Sequence, residues 1–169
     1  ATATDFRRAL ETRFESLAES ERFTIERLRR EAAFDRLLAR LFASDNAPWV
    51  LKGGYALEVR IKEARATRDI DLVLREALGR GTSLNEALRF ALEEAAAKDL
   101  GDFFVFTVGS VMMDLDAGGA RFPIEARMAD RTFVKFHIDI AAGDGLMTPL
   151  DVTEGHDWLR FAGISAPRF

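Results

Sequence analysis

The chain has 169 residues, a net charge of −4, 48% hydrophobic and 31% charged residues, and no cysteine. These values exclude a disulfide framework or thiolate metal centre and describe one domain able to bury a core, with a cytosolic location as the default. No apolar run approaches the roughly 20 residues that span a bilayer, and a net-negative chain argues against indiscriminate nucleic-acid binding while leaving room for a local basic patch.

Phe6, Leu10, Phe14 and Leu17 recur at helical spacing and predict a first helix over 5–19. Thr24 is a candidate N-cap for a second helix that buries Ile25, Leu28, Ala32, Leu38, Leu41 and Phe42 and turns its Arg and Glu residues outward. Asn46-Ala47-Pro48 ends it, because proline drives the preceding residue out of helical geometry. A strand at 49–52, a short helix at 54–61 and a strand at 68–74 follow. Gly79, Gly81 and Thr82 form a break, and Ser83-Leu84-Asn85-Glu86 matches a capping box opening an Ala-rich scaffold helix that runs to Lys98. Strands are then predicted at 103–108, 120–127 and 132–140, with turns at 116–119 and 129–131. The tail from Gly143 is loop-like, with one short apolar segment at 158–161. Helices first and a mixed or antiparallel sheet afterwards, with helices on one face, make an α+β fold. It divides into N-terminal helices (1–46), a core (47–142) and a tail (143–169) of one domain.

The chemistry concentrates between Trp49 and Leu74. In a strand, residues i and i+2 share a face, so Asp69 and Asp71 present paired carboxylates while Ile70 and Leu72 face the core. Adjacent carboxylates repel unless a cation lies between them, and an oxygen-only set selects magnesium or manganese. Gly53-Gly54, at the start of a helix, lets the backbone approach a polyphosphate. Asp139, between Ile138 and Ile140, is a third carboxylate in an apolar strand; its alternative is an ion pair with Lys135 or an arginine.

Lys52 is a candidate phosphate contact or a solvated strand-end lysine. Arg65 and Arg68 flank the acidic pair and are candidates to bind the triphosphate or balance the carboxylate charge, with surface arginines as the alternative. Lys135 shares the face of Asp139 and is a candidate nucleotide-phosphate contact, and Arg127 has a weaker claim to the same cleft. Asp114-Leu115-Asp116 leads into a turn composition and is read as solvated. His137 and His156 are too sparse for a zinc motif, with His137 on a sheet face near the site, and Glu58 and Glu63 are read as solvated helix-end residues.

Gly53-Gly54, fourteen intervening residues, Asp69-Ile70-Asp71 and a distant strand aspartate resemble the DNA-polymerase-β-like nucleotidyltransferase superfamily. More narrowly, LKGGYALEVR, ATRDIDLVL and ARFPIEARMADRTFVKFHIDI resemble the AbiEii/AbiGii-type toxins of bacterial toxin–antitoxin and phage-defence systems, over residues 14–164. The resemblance implies that Gly53 and Gly54 hold nucleotide phosphates, and that Asp69, Asp71 and Asp139 bind magnesium. It also implies transfer from an NTP to an RNA acceptor, foremost the tRNA 3′ end, with a cognate antitoxin as partner and no membrane. Larger members carry a helical C-terminal region, which would begin where this chain stops, at Phe169. The alternatives are a transferase acting on a protein hydroxyl or small molecule, and a folded nucleotide- or antitoxin-binding fragment without activity.

Overall fold

The computed structural model describes residues 1–61, 65–75, 82–115, 118–142 and 150–169. Its elements in chain order are α1 (Ala3–Glu21), α2 (Ile25–Leu41), β1 (Trp49–Lys52), α3 (Gly53–Arg60), β2 (Ile70–Leu74), α4 (Thr82–Ala96), β3 (Val105–Val108), β4 (Met113–Asp114), β5 (Gly119–Met128) and β6 (Arg131–Ala141). The expected break at Gly79 and Gly81, Glu63, Asp116 and the start of the tail at Gly143 lie outside the described residues. Among the described residues, no helix is long and apolar enough to cross a membrane.

Thr2 and Thr24 cap α1 and α2, their side chains accepting from the backbone N–H of Asp5 and Arg27. Each cap pairs a donor that the first helical turn leaves open. α1 buries Phe6, Leu10 and Phe14. In α2 the expectation of outward-facing charges is corrected: Glu31, Asp35, Arg36 and Arg40 are buried. α2 packs against β6, α1 and α4, so no broad face is left for solvent. Its charges persist by pairing. Arg36 Nε and Arg40 Nη2 each lie 2.7 Å from Asp102, whose burial would raise its pKa but whose two guanidinium partners hold it below the usual carboxylate range. Two further boundaries differ from expectation. α4 begins at Thr82, which puts Ser83 inside the first turn rather than at the cap. Asp114 lies in the short β4 and accepts from Asn85 Nδ2 at 2.6 Å, so it is not a turn carboxylate.

The strands form one sheet in the order β1-β2-β6-β5-β3, with β4 beside β5. β2 and β6 run parallel, and the other pairs are antiparallel. Ala129 and Asp130 join β5 to β6 with φ of 54° and 58°, a two-residue left-handed turn whose twist suits a hairpin. Alternation then sorts the sheet. Phe122, Ile124 and Ala126 of β5, and Phe136, Ile138 and Ile140 of β6, are buried; the Phe136 ring meets Phe34 of α2 edge-on at 4.8 Å. Their neighbours Arg121, Glu125, Lys135, His137 and Asp139 occupy the accessible face.

A second buried polar cluster joins α2, α3 and the tail. The Tyr55 hydroxyl donates to Asp35, and His156 approaches the same carboxylate with its backbone N–H at 2.7 Å and its ring Nδ1 at 2.8 Å. Glu58, expected at a solvated helix end, is 5% exposed here, because α3 turns Tyr55 and Glu58 toward α2. Burial and the neighbouring Glu58 push Glu31 up to about 8. Burial opposes charge on His156, yet the bond to Asp35 raises its pKa. Both groups therefore hold protons more tightly folded than unfolded, and the stability they give is lost as pH rises. The melting temperature should fall from the Glu31 reference value of 4.5 up through about 8. Glu31→Gln should flatten most of that decline and leave the part due to His156; Tm against pH for both chains checks this.

Candidate active site

The parallel register between β2 and β6 sets Asp71 beside Asp139, and the antiparallel register with β1 sets Lys52 opposite Asp71. β2 begins at Ile70, two residues later than predicted, so Asp69 stands just outside the strand. It is nevertheless held at the sheet: its Oδ1 accepts from the His137 backbone N–H at 3.1 Å, with His137 Nδ1 at 3.4 Å. The three predicted carboxylates thus gather at one place on the open face. Their crowding is felt at Asp71, whose pKa is raised by burial, then by Asp139 and Asp69, against the lowering pull of Lys52 and Arg121.

The two glycines meet this cluster from α3. Gly53 has φ +72°, and a Cβ there would lie 2.3 Å from Asp71 Oδ2. A Cβ on Gly54 would lie 2.9 Å from Thr67 Oγ1. The positive φ favours glycine at 53 whatever the space, and a side chain at 54 would displace that of Thr67. Lys52, the N-cap of α3, makes no side-chain capping bond, so the helix start is left to an anion or to solvent.

Sequence reasoning missed Arg121. Its guanidinium grips Asp139 with two bonds, Nε to Oδ1 at 2.7 Å and Nη2 to Oδ2 at 2.9 Å. That bond and the charge of Asp139 raise the pKa of Arg121 further. The signal was only partly present in the turn at Ala129–Asp130. A two-residue hairpin there pairs Met128 with Arg131 and by count alone would set Arg121 opposite Ile138; the register shift between Ala126 and Arg127 is what brings it opposite Asp139. The arginine alternative for Asp139 is therefore realised.

This pairing governs how the residues suit a metal. Asp69 and Asp71 supply hard oxygen donors crowded enough to repel, which fits a magnesium-like cation. Asp139 already shares its oxygens with Arg121, which competes with a cation for them, and among the described residues no three acidic or histidine side chains converge in metal-holding geometry. The remaining candidates lie further out. Lys135 is on the predicted face and exposed, but four residues of strand, roughly 13 Å, separate it from Asp139. Arg127 binds Glu125 at 2.9 Å and the Asp130 carbonyl at the far end of the hairpin, away from the carboxylates. Arg65 and Arg68 are exposed on the segment leading to Asp69. Arg121→Gln removes the competing cation and keeps a polar side chain. Mn2+ binding, followed by electron paramagnetic resonance, should tighten several-fold in that variant; unchanged binding would mean that the pair does not compete with the metal.

The geometry can be set beside known proteins. No curated protein matches the chain. Among solved structures it is similar to MenT4, a nucleotidyltransferase toxin from Mycobacterium tuberculosis, with a TM-score of 0.59 and 20% identity over 96% of this chain and 53% of that one. The chain thus spans about half the length of that relative, and at this identity the likeness is one of fold. Residues 36–166 match the family model described as nucleotidyl transferase AbiEii toxin, type IV toxin–antitoxin system. The match spans most of the chain and contains the glycine pair, all three carboxylates and Arg121: the chain belongs to the AbiEii family of nucleotidyltransferase toxins.

Proposed function

We propose that the chain is the catalytic part of a magnesium-dependent nucleotidyltransferase toxin that moves a nucleoside monophosphate from an NTP to an RNA acceptor, the tRNA 3′ end foremost. The observation that carries it is the placement of Asp71 between Asp139 on one side and the Gly53 turn on the other. Carboxylates and a phosphate cradle in contact are what transfer at a phosphorus needs. A divalent cation bound at Asp69 and Asp71 would stabilise charge on the entering and leaving oxygens.

The chain's own residues divide the work across the sheet. Lys52, Gly53 and Gly54 lie on the β1 side and would bind the triphosphate with backbone N–H groups and one cation. The acceptor lies on the other flank. A groove of about 360 Å³ opens there between Thr107, Pro123, Glu125, Lys135 and His137. His137 borders both this groove and Asp69, so an acceptor end in the groove reaches the carboxylates. The acceptor hydroxyl oxygen bonds to the α-phosphorus, the bond to pyrophosphate breaks, and the hydroxyl proton passes to Asp139 as general base. Arg121 bonds one site on each Asp139 oxygen, so the acceptor would approach the sites that Arg121 leaves open. A cognate antitoxin is the proposed protein partner. The pairing of Asp139 with Arg121 also favours a second reading, a nucleotide- or antitoxin-binding fragment that lacks activity by itself.

Incubation with total tRNA, Mg2+ and each α-labelled NTP distinguishes the two. Label should enter RNA from at least one NTP. Asp71→Asn should reduce transfer by more than about 100-fold, since removing groups that merely support metal ligands already costs 10–100-fold. Lys135→Ala should raise the KM for RNA and leave that for NTP unchanged. No transfer by the parent chain, or full transfer by Asp71→Asn, would sink the enzymatic reading.

A further inference from the structure

Glu58 lies outside the set of groups just assigned, yet it is tied to them through one residue. Its Oε2 accepts from the Thr67 backbone N–H at 2.8 Å, across the described ends of the segment that joins α3 to β2. The Thr67 carbonyl accepts from Arg30 Nη1 of α2 at 3.1 Å. The Thr67 hydroxyl donates to the Asp69 carbonyl at 3.2 Å and stands where a Cβ on Gly54 would fall. Thr67 is therefore held at its N–H, its carbonyl and its hydroxyl. It adjoins both halves of the site, standing against Gly54 and bonding the backbone of Asp69.

A buried carboxylate is costly to keep unless it does something a neutral group could not. Glu58 is 5% exposed; its Oε1 lies 3.2 Å from Arg27 Nη2, and its carboxylate also meets that of Glu31. Packing alone would favour a leucine at this position. Of its contacts, the charge-assisted bond to the Thr67 N–H is the one that reaches toward the site.

We propose that Glu58 is a positioning residue, whose grip on Thr67 sets the Gly53–Gly54 turn and Asp69 at a fixed spacing and so prepares the metal and phosphate sites together. The role rests on Asp69 and Asp71 as the working carboxylates and is independent of the acceptor. It acts at a distance: Glu58 touches neither carboxylate, and the support passes through Thr67.

The test compares Mn2+ binding, by electron paramagnetic resonance, in the parent chain, Glu58→Gln, Glu58→Leu and Arg30→Leu. Glutamine retains an acceptor for the Thr67 N–H and should bind Mn2+ within about twofold of the parent, a hydrogen-bond loss being avoided. Leucine at 58 fills the volume without an acceptor and should weaken Mn2+ by about 10–100-fold, the usual cost of losing a group that orients metal ligands. Should that variant not fold, Arg30→Leu decides. Removing a positive charge favours cation binding, so a several-fold fall there reports lost positioning. Parent-like Mn2+ affinity in the folded leucine variant, or in Arg30→Leu where the former is unfolded, overturns the role. A parent chain that binds Mn2+ but transfers no nucleotide would defeat the enzymatic reading and leave this inference standing.

Discussion

The parallel pairing of β2 with β6 is the constraint on which the rest of the structure depends. It joins two strands far apart in sequence at a register that sets Ile70 beside Ile138 and Asp71 beside Asp139. The apolar residues of that register are fully buried against the helices. Burial on one face therefore enforces proximity of charge on the other. Two carboxylates on strands about 4.8 Å apart would not choose to be neighbours; the hydrophobic residues between them leave no alternative. The repulsion is relieved locally, by Lys52 across β1, Arg121 across β5 and the positive end of α3.

That arrangement explains what was legible beforehand. The helices and the glycine turn are local patterns, governed by caps and breakers, and they survive in the structure with small shifts, save that α2 ends at Leu41, several residues before Pro48, and Asp69 falls just outside its strand. The family resemblance read from the same stretches is supported by the match over residues 36–166. What could not be read locally depended on neighbours from elsewhere in the chain. Arg36, Arg40 and Glu58 have the composition of solvated helix residues and become buried only because Asp102, the Thr67 N–H and Arg27 arrive as partners. β4 has two residues and too little alternation to be detected. Arg121 sits in the middle ground, since a turn and a count along both strands bring it within one residue of Asp139 and the register shift at Ala126–Arg127 supplies the last step.

Helix α2 has an unusual role for an element so rich in charge. It supplies Phe34 to the sheet, Arg36 and Arg40 to Asp102, Glu31 and Asp35 to the cluster with His156, and Arg30 to Thr67. Each of these bonds reaches a different part of the chain. The helix thus acts as a common reference against which α3, the segment before β2 and the C-terminal tail are aligned. Removing one partner from such a network is expected to cost more than the pair itself is worth, because the remaining charge stays buried.

The two-residue turn at Ala129 and Asp130 carries a consequence for how this sequence can change. Side chains alternate with a period of two, so a slip of one residue between β5 and β6 would turn a whole strand's side chains to the opposite face. One such step is already built in, since the register shifts between Ala126 and Arg127. Without it the turn would set Arg121 opposite Ile138, one residue short of Asp139. Substitutions at the turn that accept a left-handed backbone, such as Asn or Gly, should pass freely, whereas loss of the bulge would part Arg121 from Asp139. An irregularity remote from all three carboxylates thus decides which side chain Asp139 meets.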